Sequence, residues 1–269
     1  FDTPTHVRAA AVEALDQGFT HYSNSTGILE LRESIARYAG KNRGLQFDPA
    51  NVIVTPGAKP IMFYAIMALV EAGEEVIYPN PGFPIYESMI NFLGATAVPY
   101  QLKESREFRV DLDELRSKVT SKTRMLILNS PHNPTGGVLT HDDLQAMAQI
   151  AVENDLIVLA DEIYSEIVYE GKHYSIMNFP GMMERTILLD GFSKTFAMTG
   201  WRLGFGIFPP EIVPHISRLI INSVSCTSTF SQRAAIAALE GPRDEIDGMI
   251  EAFGRRRELV DNGLNKIDG

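Results

Sequence analysis

The residues best suited to chemistry are a lysine and an acid in the second half of the chain. Lys194 lies among small and apolar residues, and Arg202 follows it eight positions later. A lysine amine can form an imine with an aldehyde, and an arginine fork can hold a phosphate. Asp161 directly follows the apolar run Leu156–Ala160. A carboxylate in that position can pair with the protonated nitrogen of a pyridine ring.

Residues elsewhere complement this pair. Gly57-Ala58-Lys59 stands where a helix is predicted to begin, and free N–H groups at a helix start bind phosphate. Asn133 and Tyr164 offer donors for a phenolic oxygen, and Phe83 offers a ring face. An aldehyde, a ring nitrogen, a phenolic oxygen and a phosphate occur together in pyridoxal phosphate. The residue types therefore indicate a site for that cofactor.

Apolar runs that alternate with helical patterns predict the elements that position these residues. Continuous Val/Ile/Leu strands are typical of a sheet covered on both faces, and intervening helices indicate parallel crossovers. The predicted strands are Asn51–Thr55, Glu75–Tyr78, Thr96–Pro99, Met125–Leu128, Leu156–Ala160, Thr186–Leu189 and Leu203–Phe208. We expect an α/β fold with a mostly parallel central sheet, helices on both faces, and the site beyond the strands' carboxyl ends.

Three regions are predicted along the chain. Residues 1–45 give two helical patterns, Thr5–Gln17 and Ile28–Asn42, and form an N-terminal helical interface segment. Residues 46–209 form the large α/β domain that binds the cofactor. Residues 210–269 read as helix only.

Composition excludes several classes of protein. The 269 residues carry a formal net charge of −10, whereas nucleic-acid-binding proteins show a basic domain or stripe. The single cysteine, Cys226, fits a reducing compartment. The six histidines lack the spacing of a zinc site, and no apolar run has the length of a membrane span. We predict a cytoplasmic protein with no metal, nucleic-acid or membrane partner.

Four ordered motifs carry a family resemblance. They are Tyr22–Arg32, Asn133–Gly136, Asp161–Tyr164 and Gly191–Gly204, the last with its lysine and its arginine. With them the whole chain resembles the class I/II pyridoxal-phosphate-dependent aminotransferases of fold type I, which include aspartate aminotransferase. The resemblance implies the large domain of that fold. It also implies a small C-terminal domain that no part of this chain matches, and we expect it outside this sequence.

The resemblance implies roles around the cofactor ring. Lys194 would hold the internal aldimine and then move the proton between the substrate Cα and C4′. Asp161 would keep the ring nitrogen protonated. Asn133 and Tyr164 would bond the ring O3′, and Phe83 would stack on the ring.

It also implies a phosphate site. Gly57, Ala58, Lys59, Ser193 and Arg202 would surround the phosphate, with Lys59 acting through its backbone N–H. Tyr22 would reach the phosphate of a neighbouring subunit, so a homodimer is expected. Many family members carry a phosphate-binding serine where this chain has Gly191.

The activity implied is amino-group transfer between an L-amino acid, aspartate or another small one, and a 2-oxo acid. The arginine that grips the substrate α-carboxylate belongs to the small domain in this family. Aspartate-preferring relatives often carry Trp where this chain has Phe83. Two alternatives remain open: a C–S or β-lyase of the same fold and cofactor, and a non-catalytic aminotransferase-like binding module. Lyase relatives often place His where Tyr164 stands.

Overall fold

A computed structural model describes residues 1–267 of the chain. The strands of its central sheet are β1 (Val52–Thr55), β2 (Glu75–Asn80), β3 (Thr96–Gln101), β4 (Thr123–Asn129), β5 (Ile157–Asp161), β6 (Thr186–Gly191) and β7 (Gly204–Ile207). Their order across the sheet is β1-β7-β6-β5-β4-β2-β3. Strands β3, β2, β4, β5 and β6 run parallel, whereas β7 is antiparallel to both of its neighbours.

Helices cover both faces of this sheet. They are α1 (Thr5–Asp16), α2 (Leu29–Arg43), α3 (Lys59–Leu69), α4 (Ile85–Phe92), α5 (Leu112–Lys118), α6 (His141–Glu153), α7 (Val213–Ser223), α8 (Thr229–Glu240) and α9 (Asp244–Leu264). Helices α3, α4 and α7 pack on one face, through a cluster that includes Ile61, Ile90 and Ile216. Helices α1, α2, α8, α5 and α6 pack on the other. The predicted α/β fold with a mostly parallel, two-sided sheet is confirmed.

The orientation of β7 differs from the simplest reading of the sequence. Residues 192–203, between β6 and β7, contain no α-helix, so nothing carries the chain across the sheet for a parallel return. The chain turns back instead, and Gly191 pairs with Gly204 across the two strands. This connection carries both Lys194 and Arg202.

Local signals set the ends of the helices that approach the site. Thr140 and Asp143 form a reciprocal capping box at the start of α6, in which each side chain bonds the other residue's backbone N–H. Helix α2 ends at Arg43 because Gly44 follows in the left-handed conformation, with φ of 68°.

Within residues 1–267 no helix is long and apolar enough to cross a membrane. The division into 1–45, 46–209 and 210–269 stays a prediction.

A close backbone approach joins β7 to the start of α3. A Cβ added at Gly204 would lie 2.3 Å from the Ala58 backbone nitrogen and 2.5 Å from the Gly57 carbonyl carbon. Both contacts are backbone atoms, which cannot swing away as a side chain can. The loop that precedes α3 therefore rests directly on a glycine of β7.

We expect Gly204→Ala to lower the free energy of unfolding by about 1–3 kcal/mol because the added methyl overpacks this contact. Urea denaturation of the cofactor-free protein measures the change. Gly248→Ala is the matched control: a Cβ at this position in α9 meets nothing within 4 Å, and alanine should stabilise the helix by up to about 1 kcal/mol. Equal unfolding midpoints for Gly204→Ala and the wild type would contradict the packing argument.

Candidate active site

The carboxyl ends of three parallel strands gather the predicted site residues at one edge of the sheet. Asn129 at the end of β4 pairs with Asp161 at the end of β5, and Asp161 in turn neighbours Leu189 of β6. The loops that continue from these strands carry Asn133, Tyr164 and Lys194. This is the edge where open α/β sheets bind ligands.

Asp161 is a buried acid at this edge, with only 3% of its surface exposed. Its Oδ2 accepts a hydrogen bond from the Tyr86 hydroxyl at 2.6 Å, and its Oδ1 accepts the Ile163 N–H at 3.3 Å. Burial raises the pKa of Asp161 to about 6, against the lowering effect of these two bonds. None of the ion pairs found within residues 1–267 includes Asp161. The carboxylate therefore has donors but no cation.

Tyr86 contacts Asp161, and the sequence analysis gave it no role. It lies in the first turn of α4, three residues after Phe83, and is fully buried. The two rings meet edge-on with their centroids 6.2 Å apart. The three-residue spacing places both rings on one side of the turn. That spacing was the available signal, but only the fold shows that the hydroxyl reaches Asp161.

Lys194 lies in the connection between β6 and β7 and is half-buried. Its Nζ lies 5.5 Å from the centroid of the Tyr164 ring. Lys194, Ser193 and Tyr164 line an open cavity of about 450 Å³, which Phe253 of α9 also borders. The amine is therefore accessible to a small molecule and adjacent to the predicted phenol.

Asn133 is placed by the end of β4. Its backbone N–H donates to the Asn129 side chain at 2.8 Å, while the Asn129 amide donates to the Asp161 carbonyl oxygen at 2.9 Å. Asn133 and Tyr164 line one open cleft of about 750 Å³. The structure thus brings Asn133, Tyr164, Lys194 and Asp161 to the same edge.

The predicted phosphate residues form a second group around the start of α3. Gly57 has a φ of +90°, and a Cβ there would lie 2.2 Å from Nη2 of Arg202. The guanidinium therefore lies directly against the Gly57 backbone. The N–H groups of Ala58 and Lys59 donate to no acceptor within the described part of the chain. A helix start with free N–H groups beside a guanidinium is suited to an anion.

Three predicted residues have particular surroundings. The Lys59 ammonium lies 5.1 Å from the centroid of the Phe83 ring, so its side chain covers that ring. Tyr22 is 88% exposed and borders a pocket with Cys226 that shares no lining residue with the cavity of Lys194. At Gly191 a Cβ would lie 3.0 Å from the Gly204 Cα. A serine would fit there only if the two strands moved apart.

The donor set fits pyridoxal phosphate. A buried carboxylate that lacks a cation suits a protonated ring nitrogen, and Gly57 with Arg202 leaves a backbone cradle for a phosphate. The accessible amine of Lys194 suits an aldehyde. Within residues 1–267 no group of three or more His, Cys, Asp or Glu side chains is arranged to hold a metal ion.

This sheet and this site define an enzyme of fold type I. The sequence profile described as "Aminotransferase class I and II" matches residues 1–269. Aromatic-amino-acid aminotransferase 2 of Thermococcus litoralis is 45% identical over 271 residues, covering 99% of this chain and 70% of that protein. Aspartate aminotransferase of Pyrococcus abyssi is 44% identical over 271 residues, which cover 99% of this chain and 70% of that protein.

Solved structures agree with the sequences. The aromatic aminotransferase of Pyrococcus horikoshii OT3 superposes with a TM-score of 0.97 at 45% identity, covering 99% of this chain and 72% of that one. The aspartate aminotransferase of Thermus thermophilus with maleate superposes with a TM-score of 0.95 at 38% identity, covering 98% of this chain and 70% of that one. The chain belongs to the class I and II aminotransferase family, and it is an enzyme that transfers amino groups between amino acids and oxo acids. The family implies pyridoxal phosphate as its cofactor.

The burial of Asp161 should make the stability of the folded protein depend on pH. Its pKa in the folded protein is raised to about 6, whereas an unfolded aspartate has a pKa of about 3.9. Between these values the folded protein binds more protons than the unfolded one, so this group's contribution to stability falls as pH rises.

The cofactor-free wild type should therefore lose up to about 3 kcal/mol relative to Asp161→Asn between about pH 4 and pH 6. Urea denaturation at several pH values measures the difference. Asp142→Asn serves as the control, because the Asp142 side chain is 96% exposed, and it should follow the wild-type curve. Parallel curves for the wild type and Asp161→Asn would show that Asp161 does not resist ionisation.

Proposed function

We propose that this enzyme binds pyridoxal phosphate at the carboxyl edge of its sheet and uses Lys194 as the base in amino-group transfer. The observation that carries this proposal is a buried Asp161 without a cation, at the same edge as the accessible amine of Lys194. The bound cofactor would supply an electron sink for the negative charge that develops at the substrate Cα.

Lys194 has two tasks in this proposal. Its amine would hold the resting cofactor, and once released it would take the proton from the substrate Cα and return it at C4′ of the cofactor. Its accessibility from the cavity supports both tasks. The Tyr164 ring, 5.5 Å from the Lys194 Nζ, is close enough to limit where the amine can swing.

Asp161 and the phenolic-oxygen partners would set the charge on the ring. Asp161 would hold a proton on the ring nitrogen, and pairing with that cation would repay the cost of burying the carboxylate. Asn133 and Tyr164 would donate to the ring O3′. Phe83 would cover one face of the cofactor ring, and the Lys59 ammonium lies 5.1 Å from the centroid of the Phe83 ring.

The phosphate would lie between the start of α3 and Arg202. The free N–H groups of Ala58 and Lys59 and the guanidinium that covers Gly57 support this placement. Ser193 lines the cavity of Lys194 and would add a hydroxyl. Position 191 is a glycine in close contact with Gly204, so no side chain at that position would bind the phosphate. The groups named above would bind it instead.

The proposal extends to the substrate and to the assembly of the enzyme. The relatives include enzymes named for aspartate and for aromatic amino acids, so we propose aspartate or another small L-amino acid with a 2-oxo acid and include aromatic substrates in the test. We further propose a homodimer in which Tyr22, 88% exposed, reaches the partner's phosphate site. The acidic composition and the single cysteine support a cytoplasmic location.

The decisive experiment compares the purified wild type with Lys194→Ala. The wild type should show a visible absorbance band from the bound cofactor and convert aspartate, alanine or tyrosine with 2-oxoglutarate into the matching oxo acid and glutamate. Lys194→Ala should lose that band and at least about 10⁴-fold in kcat, because both the anchoring amine and the base are gone.

Lys172→Ala is the matched control. Its Nζ lies 5.5 Å from the Tyr174 ring, outside the site, and its activity should equal that of the wild type. In a parallel assay with cystathionine, whose Cβ carries a sulfur leaving group, release of pyruvate, ammonia and the thiol without glutamate would favour the lyase alternative. Cofactor binding with no product at all would favour the binding module.

A further inference from the structure

A second set of buried charges lies close to Asp161, and the proposed cofactor site gives it no role, although Glu162 lies within the Asp161–Tyr164 motif. The guanidinium of Arg43, the last residue of α2, donates from Nε to Glu162 Oε2 at 2.8 Å and from Nη2 to Asp190 Oδ2 at 3.0 Å. The three side chains are between 1% and 3% exposed. One planar fork therefore joins the residue after β5 to a residue of β6.

The remaining oxygens of both carboxylates are also satisfied. Glu162 Oε1 accepts from the Ser175 hydroxyl at 2.7 Å, and its Oε2 lies 3.0 Å from His173 Nε2. Asp190 Oδ1 accepts the Gly191 N–H at 2.7 Å. Burial alone would raise the pKa of Glu162, but Arg43, His173 and Ser175 lower it to about 2. Glu162 is thus an ionised carboxylate in a closed network.

The network lies behind the catalytic edge, on the opposite face of the sheet. Neighbouring residues of an extended chain point to opposite faces, and Asp161 and Glu162 are neighbours. Asp161 faces α4, where Tyr86 meets it. Glu162 faces α2, where Arg43 meets it. The same strand end is therefore held from both sides.

We propose that Arg43 is a positioning residue for amino-group transfer: its fork fixes the ends of β5 and β6 relative to each other, and with them Asp161 and the segment that leads to Lys194. This inference rests on the proposed function of Asp161 and Lys194. Asp161 lies one residue before Glu162, and Lys194 lies four residues after Asp190. Any shift between the two strand ends changes the separation of these groups.

The argument depends on the shape of the guanidinium as well as on its charge. A buried ion pair is often replaceable by apolar residues without loss of stability, so the charges alone do not explain the arrangement. Arginine can bond two carboxylates at fixed angles, whereas a lysine ammonium is a point charge without that planarity. Arg43→Lys therefore keeps the charge and removes the bridge.

The first test compares Arg43→Lys with the wild type. We expect kcat to fall about 10- to 100-fold, the loss typical of a small displacement in a reacting pair. The KM for the amino acid and the cofactor dissociation constant should stay within about threefold. Quenching of Trp201, the only tryptophan and the neighbour of Arg202, reports cofactor binding independently of turnover.

Arg37→Lys is the matched control. It lies on the same helix, and its pair with Glu240 is exposed at 63% and 49%, so kcat should equal that of the wild type. A kcat for Arg43→Lys within about twofold of the wild type overturns the proposal. So does a parallel loss of kcat and of cofactor affinity, because a merely loosened fold would produce it.

The second test removes the three charges together. Arg43→Met, Glu162→Gln and Asp190→Asn in one protein leave no unpaired buried charge, so its Tm should stay near that of the wild type. We expect kcat to remain about tenfold or more below the wild type because the bridge is absent. Full recovery of kcat would show that Arg43 only balances charge. Failure of the wild type itself to transfer amino groups would instead count against the proposed function.

Discussion

The burial of one carboxylate at the end of β5 is the constraint on which the site depends. Removing a charge from water costs several kcal/mol unless a cation and hydrogen bonds repay it. Tyr86 and Ile163 supply hydrogen bonds to Asp161, and no ion pair within residues 1–267 supplies the cation. Burial of the Asp161 carboxylate therefore destabilises the folded protein until a cationic ligand pairs with it. Ligand binding and folding stability are linked for this reason.

The sheet keeps Asp161, which has no ion-pair partner within residues 1–267, apart from the two carboxylates that pair with Arg43. Asp161 faces α4, whereas Glu162 and Asp190 face α2 and are joined by Arg43. Alternation along an extended strand end makes this separation possible within two residues. If the carboxylates shared one face, the guanidinium would neutralise Asp161 as well, and the site would lose its affinity for a cation.

Sequence reasoning predicted the parts of the molecule that depend on local pattern. The apolar run before Asp161 predicted a buried strand with Asp161 at its carboxyl end, which the structure confirms. The roles of the site residues stay predictions. Tyr86 and Arg43 were missed because their partners lie 75 and 119 residues away, and no local pattern encodes such a distance.

The antiparallel return of β7 has a consequence for how this enzyme can vary. Residues 192–203 are closed at their base by the pairing of Gly191 with Gly204, so they form a loop whose two ends are fixed to each other. Lys194 lies near one end of that loop and Arg202 near the other. The number of residues in the loop therefore sets the separation between the Lys194 amine and the Arg202 guanidinium. Side chains along it can be exchanged, but an inserted or deleted residue would change the size of ligand that the two ends can hold together.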